Sequence, residues 1–162
     1  MAAEQPDAVL DALAAPGTAV ITLTVTEHGY TFSPRTHGLD LDAPAVRADL
    51  RGDAPPRTTI GRIVRGLQRR SRAHARPVTV LSCDNLVGNG ELTRRLVREF
   101  IEALPAAERD GMVPWLESSV AFPGSMVTGS SPPPRTPTAR RWRPTSGCGM
   151  PYRCRPNRSP CG

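Results

Sequence analysis

"PVTVLSCDNLVGNGELTRRLVREFIEAL", Pro77 to Leu104, decides how the chain is read. Its first seven residues, Pro77 to Cys83, include the β-branched Val78, Thr79 and Val80 followed by Leu81, and predict a buried-type strand inside a parallel sheet. A short loop of small and amide residues follows. From Asn89 to Leu104 the apolar positions return at helical spacing, with Asn89 as the expected N-cap. Strand, loop and helix in that order make a βα unit, and such units come in series.

One lies upstream. "TAVITLTV", Thr18 to Val25, predicts a second strand covered on both faces. "TTIGRIVRGLQRRSRAHAR", Thr58 to Arg76, predicts a long amphipathic helix between the two strands, with Ile63, Val64 and Leu67 turned inward and its arginines on a solvated face. "DAVLDALAA", Asp7 to Ala15, is a helix ended by Pro16-Gly17, "APAVRADLRG" is a short helix, and "PWLESSVAFP" ends in a brief third strand. Strands alternating with helices imply an α/β fold with a parallel sheet. Two strong strands and one weak one are few for a doubly wound sheet. The body is therefore expected to be a partial Rossmann-type sheet with unpaired edges and uncovered apolar faces.

Charge divides the chain in two. All 21 basic residues are arginine, a bias expected of a GC-rich gene, and the formal net charge is +6. Residues 128–162 hold seven arginines, eight prolines and no acid, whereas residues 1–127 hold 14 arginines against 15 acids. The expected division is an α/β body, 1–127, and an Arg/Pro-rich tail, 128–162, too poor in apolar residues to offset its ordering entropy. A tail of that kind suits nucleic-acid phosphates, with Trp142 and Tyr152 able to stack on bases. A small arginine-tailed binding protein is thus the alternative to an enzyme, although the scattered arginines match no defined module.

Cys148, Cys154 and Cys161 have neither Cys-x-x-Cys spacing nor a nearby histidine, so no metal site is expected. Cys83, at a strand end, is read as packing, and His28, His37 and His74 as surface residues. There is no apolar run of about 18 residues to span a membrane and no signal-peptide pattern. The expected location is the cytoplasm.

In open parallel sheets ligands sit beyond the carboxyl ends of the strands. "TVTEHGY" (Thr24–Tyr30) and "SCDNLVGNGE" (Ser82–Glu91) fall there. Thr24, Val25 and Ser82 are the candidate cofactor contacts. Asn85 is a neutral donor suited to an alcohol oxygen gaining negative charge as it becomes a carbonyl, and Glu27 offers a carboxylate.

These segments carry a resemblance. "LTVTEHGY" (Leu23–Tyr30), "SCDNLVGNGE" and "VAFPGSMV" (Val120–Val127), in this order and spacing, resemble the polyol-specific long-chain dehydrogenases, the family of mannitol 2-dehydrogenase and fructuronate reductase. "LDLDAP" and the "APPRTTIG" lead-in to the long helix are similar to the family pattern too. The resemblance covers residues 7–127. It implies hydride transfer between NAD or NADP and a carbinol of an open-chain sugar alcohol or sugar acid, on a Rossmann domain followed by a mainly helical domain. It further implies that Asn85 holds the substrate oxygen and that Glu27 lines the site, while a lysine of the helical domain, followed by an asparagine and a histidine, acts as base. Membrane and nucleic acid are not implied partners.

The departures from the family pattern are specific. The glycine-rich phosphate turn, which in the family precedes these segments, is not in the chain, and neither is any lysine. Gly88 stands where the family has a histidine before Asn-Gly, and Gly124 where "FPN" is usual. After "SMV" the family continues Asp-Arg-Ile, with the aspartate in the substrate site; here Thr128-Gly129-Ser130 follows. Val-Thr-Gly-Ser can be encoded GTG ACC GGA TCN. One base added after the first two letters gives GTN GAC CGG ATC, which is Val-Asp-Arg-Ile. The expectation is that residues 128–162 are read out of frame, and that the chain by itself is inactive.

Overall fold

The computed structural model describes residues 6–125, apart from the side chains of Glu27 and His28. The expectations for the tail, including its three cysteines, Trp142 and Tyr152, lie outside the described residues.

Helix α1 (Pro6–Ala14) leads into strand β1 (Val20–Leu23). A 3-10 turn (Glu27–Tyr30) and a small antiparallel hairpin, β2 (Phe32–Ser33) with β3 (Gly38–Leu39), follow. Helices α2 (Pro44–Arg51) and α3 (Thr59–Ala73) carry the chain to β4 (Val78–Ser82). Helix α4 (Asn89–Ala103), the short α5 (Ala106–Arg109) and α6 (Met112–Ser119) precede β5 (Val120–Ala121). The sheet has the order β1-β4-β5 and is parallel throughout, with Val20 opposite Thr79, Leu23 opposite Ser82 and Val78 opposite Val120. The α/β class and the partial Rossmann-type sheet are as expected.

One face of this sheet makes the core. Ile21, Leu23, Val78, Val80 and Val120 pack with Ile60, Ile63, Val64 and Leu67 of α3 and with Leu96, Val97, Phe100 and Ile101 of α4. The other face departs from the two-sided cover that the strand runs alone suggest and matches the uncovered face expected of a partial sheet. Along β1 exposure alternates, with Val20 53% exposed and Thr22 also exposed, while Thr79 and Leu81 of β4 are only half-buried. An apolar run is compatible with two covered faces, but among the described residues nothing is stacked on the second.

The long helix begins where its residues allow. Thr58 is its N-cap, its Oγ1 accepting from the Gly61 N–H at 2.9 Å. The buried Asp49 carboxylate accepts from Arg57 N, Thr58 N and Thr58 Oγ1 at 2.9, 2.8 and 2.6 Å, which fixes the lead-in. Midway, the absence of a side chain at Gly66 lets α1 approach: a Cβ there would lie 2.6 Å from Leu13 Cβ.

The arginines of α3 are not all on a solvated face. Arg69 pairs at the surface with Asp7 and Asp11 of α1. Arg65 pairs with Glu108, holding that carboxyl below its usual range, and donates to the Asp49 carbonyl at 3.0 Å. Arg70 is 1% exposed. Its guanidinium donates to Ala15 O and Arg76 O at 2.8 Å, Pro77 O at 3.0 Å and Leu13 O at 3.4 Å. One side chain thus ties the end of α1 to the turn that enters β4, and burial lowers its pKa without removing its charge. His74 reinforces the same corner through a 2.8 Å hydrogen bond to Ala14 O, so it is not simply a surface residue. Arg70→Met keeps the apolar stem but strands these carbonyls. The expected loss of folding stability is about 3 kcal/mol, read as a lower urea midpoint with an unchanged m-value.

Candidate functional site

Because β1 and β4 run parallel and level, the segments leaving their carboxyl ends emerge side by side. The segment after β5, Phe122 to Ser125, emerges next to them. Three loops therefore meet at one end of the sheet, where an α/β fold binds ligands.

Buried polar groups hold the three together. Asp84, 7% exposed, accepts from the Val25 N–H at 2.7 Å through one carboxylate oxygen. Its other oxygen takes a short hydrogen bond from the Tyr30 hydroxyl and a 3.0 Å bond from Ser82 Oγ. Tyr30 and Ser82 are fully buried, and their hydroxyls lie 2.6 Å apart. Burial, and then the bond to the Asp84 carboxylate, raise the Tyr30 phenol above its ordinary pKa, since both disfavour a second negative charge.

Asn89 binds the third loop. It is fully buried at the first turn of α4, and the residue in the N-cap position is Gly88, at φ 71°. The expected capping role for Asn89 is thus replaced by a clamp. Its Nδ2 donates to Asp84 O at 2.9 Å, Ser125 O at 3.0 Å and Ser82 O at 3.3 Å, while its Oδ1 accepts from Ser125 N at 3.1 Å. Gly90 permits this approach, for a Cβ there would sit 2.6 Å from the carbonyl oxygens of Phe122 and Pro123.

The candidate residues divide by exposure. Asn85 is exposed on the loop leaving β4, beside the clamped Asp84, so its carboxamide is presented to solvent at the strand end. Thr24 is exposed, and Val25 is half-buried with its N–H given to Asp84. Ser82 is turned inward, and its hydroxyl belongs to the Tyr30–Asp84 network. Glu27 opens the 3-10 turn between Val25 and Tyr30; its side chain is outside what is described. Cys83 is a half-buried free thiol, less enclosed than packing alone suggests. Val87, 98% exposed, stands two residues beyond Asn85 on the same loop. Sequence reasoning missed Tyr30, Asp84 and Asn89 as site-building residues. The signal available was the position of Asp84 inside "SCDN", next to the residue singled out.

Among the described residues no group of three or more His, Cys, Asp or Glu side chains is arranged to hold a metal, and no helix is long and apolar enough to cross a membrane. A dinucleotide fits these residues only in part. The ends of β1 and β4 present Thr24, Val25 and Asn85, but among the described residues no glycine-rich turn offers consecutive N–H groups to a pyrophosphate.

Comparison with known proteins agrees with this geometry. Residues 1–134 match the model of the mannitol dehydrogenase Rossmann domain. Mannitol 2-dehydrogenase of Pyrenophora tritici-repentis is 40% identical over 131 residues, 81% of this chain and 23% of that protein. A D-sorbitol dehydrogenase crystal structure in substrate-free form superposes with a TM-score of 0.69 at 35% identity, covering 77% of this chain and 25% of the other. The Pseudomonas fluorescens mannitol 2-dehydrogenase, in ternary complex with NAD and D-mannitol, superposes with a TM-score of 0.65 at 32% identity, covering 75% and 24%. The chain spans about a quarter of the length of these relatives. With its strand order, its loop cluster and its sequence all pointing one way, the chain belongs to the mannitol dehydrogenase family and carries that family's Rossmann-type fold.

Proposed function

We propose that this chain is the part of a nicotinamide-dependent polyol oxidoreductase that holds the reacting oxygen of an open-chain sugar alcohol. The supporting observation is Asn85, exposed at the end of β4 on a loop that buried hydrogen bonds fix against the segment bearing Glu27. As the carbinol C–H bond breaks, negative charge builds on the oxygen, and a carboxamide N–H already in place stabilises it without reorganisation. Glu27, on the neighbouring segment, is the carboxylate that the family pattern assigns to the substrate end. The nicotinamide, NAD or NADP, supplies the hydride acceptor when bound. The relatives point to mannitol- and sorbitol-like substrates; sugar acids of the mannonate type fit the same chemistry. The expected location is the cytoplasm.

The alternative, a small arginine-tailed binding protein, rests on the arginines of residues 128–162, which lie outside the described residues.

The chain as it stands contains no lysine to accept the carbinol proton, and its described residues form no phosphate turn. We therefore expect no NAD- or NADP-dependent oxidation of D-mannitol or D-sorbitol by the 162-residue protein, and measurable turnover would overturn this. The tail is proposed to be read out of frame from Thr128. The family match runs to residue 134, past that point, so the proposal stands or falls on the DNA. One base that restores Val-Asp-Arg-Ile and an open frame supports it, and codons incompatible with that insertion refute it.

The oxygen-holding role is tested by transplanting residues 6–125 into a full-length mannitol 2-dehydrogenase in place of the matching segment. The chimera is expected to oxidise mannitol. Asn85→Ala in it is expected to lower kcat by about 10²–10³. A folded chimera that binds NAD yet is indifferent to Asn85→Ala would rule the role out.

A further inference from the structure

Glu27 and Asn85 lie on different loops, and nothing in the local sequence of either sets the distance between them. The hydrogen bonds of Asp84 reach both. Its side chain takes the N–H of Val25, two residues before Glu27, and the hydroxyl of Tyr30, three residues after it. Its own carbonyl is held by Asn89, and its next neighbour in the chain is Asn85. We propose that Asp84 is a positioning residue, a single carboxylate that grips the β1 loop on both sides of Glu27 and so sets its backbone in register with Asn85.

The chemistry suits the task. A carboxylate presents two acceptor oxygens in a rigid plane, so two donors bound to it are fixed relative to each other as well as to it. Bonds to an ionised acceptor are also the stronger kind. Both donors come from one short segment, and one of them is a main-chain N–H. A polar cluster serving only to fill the core has no reason to capture loop backbone next to an exposed site.

A second feature shows that the segment is held under constraint. Thr31, immediately after the Tyr30 anchor, has φ 53°, a conformation that β-branched residues avoid. Such strain persists only where surrounding contacts over-determine it. Tyr30 supplies them on one side, with Asp84 and Ser82 facing its hydroxyl and Thr93 of α4 near it. On the other side the Asp40 N–H donates to the Thr31 carbonyl at 2.9 Å. The turn itself is closed by Gly29 N donating to Thr26 O at 2.7 Å. The segment between the two Asp84 anchors thus has little freedom left.

The inference rests on the oxidoreductase reading for the meaning of Glu27 and Asn85, but its test needs neither substrate nor cofactor. In the full chain carrying Tyr152→Phe, Tyr30 is the sole tyrosine. Amide hydrogen exchange is measured residue by residue, with the α3 amides Ile63 to Leu67 as the reference for global opening. Asp84→Ala is expected to speed exchange across residues 25–30 by about tenfold or more while α3 is unchanged. Asp84→Asn still offers Val25 an acceptor and turns an NH2 toward Tyr30, so it is expected to restore most of the protection. The same variant removes the charge, so phenolate absorbance is expected to appear at lower pH than in the parent. Asp84→Leu, of similar size but with no acceptor oxygens, is expected to leave residues 25–30 as loose as in Asp84→Ala, whereas a purely steric role for Asp84 requires it to restore protection.

Undiminished protection of Val25 in Asp84→Ala overturns the proposal, as does loosening of α3 and residues 25–30 together. If Asp84→Ala does not fold, Tyr30→Phe decides. It removes one anchor, and is expected to loosen residues 27–30 while leaving Val25 protected; equal protection throughout overturns the proposal. A loosened loop with a dead chimera would sink the oxidoreductase reading alone, whereas an active chimera with an unmoved loop would sink the positioning role alone.

Discussion

Parallel strands cannot be joined by a tight turn, so pairing Val20–Leu23 with Val78–Ser82 forces a long crossover between them. That crossover contains α3, whose apolar side covers the inner face of both strands. The same pairing brings the carboxyl ends of the strands level. From there the loops after β1, β4 and β5 have no alternative but to share one end of the sheet. The site is thus a by-product of strand direction, and the side chains only finish it.

The finishing is done by groups that are costly to bury. Each polar atom taken from water needs a partner, and the partners chosen here are distant in sequence: Asp84 with Val25, Asn89 with Ser125, Arg70 with Ala15. Among the described residues no buried side-chain nitrogen or oxygen lacks a hydrogen bond. Satisfying these groups fixes the loops and the helix ends at once. At the opposite end from the site, Arg70 does for the start of β4 what Asp84 does for its finish.

The elements that pattern alone revealed were those whose signal is local. The apolar spacing of Thr59–Ala73 and Asn89–Ala103, and the β-branched runs at β1 and β4, read directly as helix and strand. What stayed hidden depends on contacts between remote positions. The β2–β3 hairpin has two-residue strands, and the positive φ angles of Thr31 and His37 beside it are not ones their residue types favour. Arg70 sits in an arginine-rich stretch that looks solvated, and only the end of α1 makes it a buried donor. Val20 has the side chain of a covered position, and it is exposed because nothing among the described residues is stacked on its face of the sheet. Asn85 is proposed on the strength of its motif, whereas the hydrogen bonds of Asp84, one residue earlier, appear only once β1 lies alongside.

Among the described residues the outer edge of β1 is unpaired and the face around Val20 and Thr22 is bare, which has a thermodynamic consequence for the chain. Any segment that adds to that edge binds the folded form and not the unfolded one, so its concentration enters the folding equilibrium by mass action. The stability of the chain is then not a constant of its sequence. It rises with the supply of whatever completes the sheet, much as a split reporter regains its fold when its other half is provided in trans.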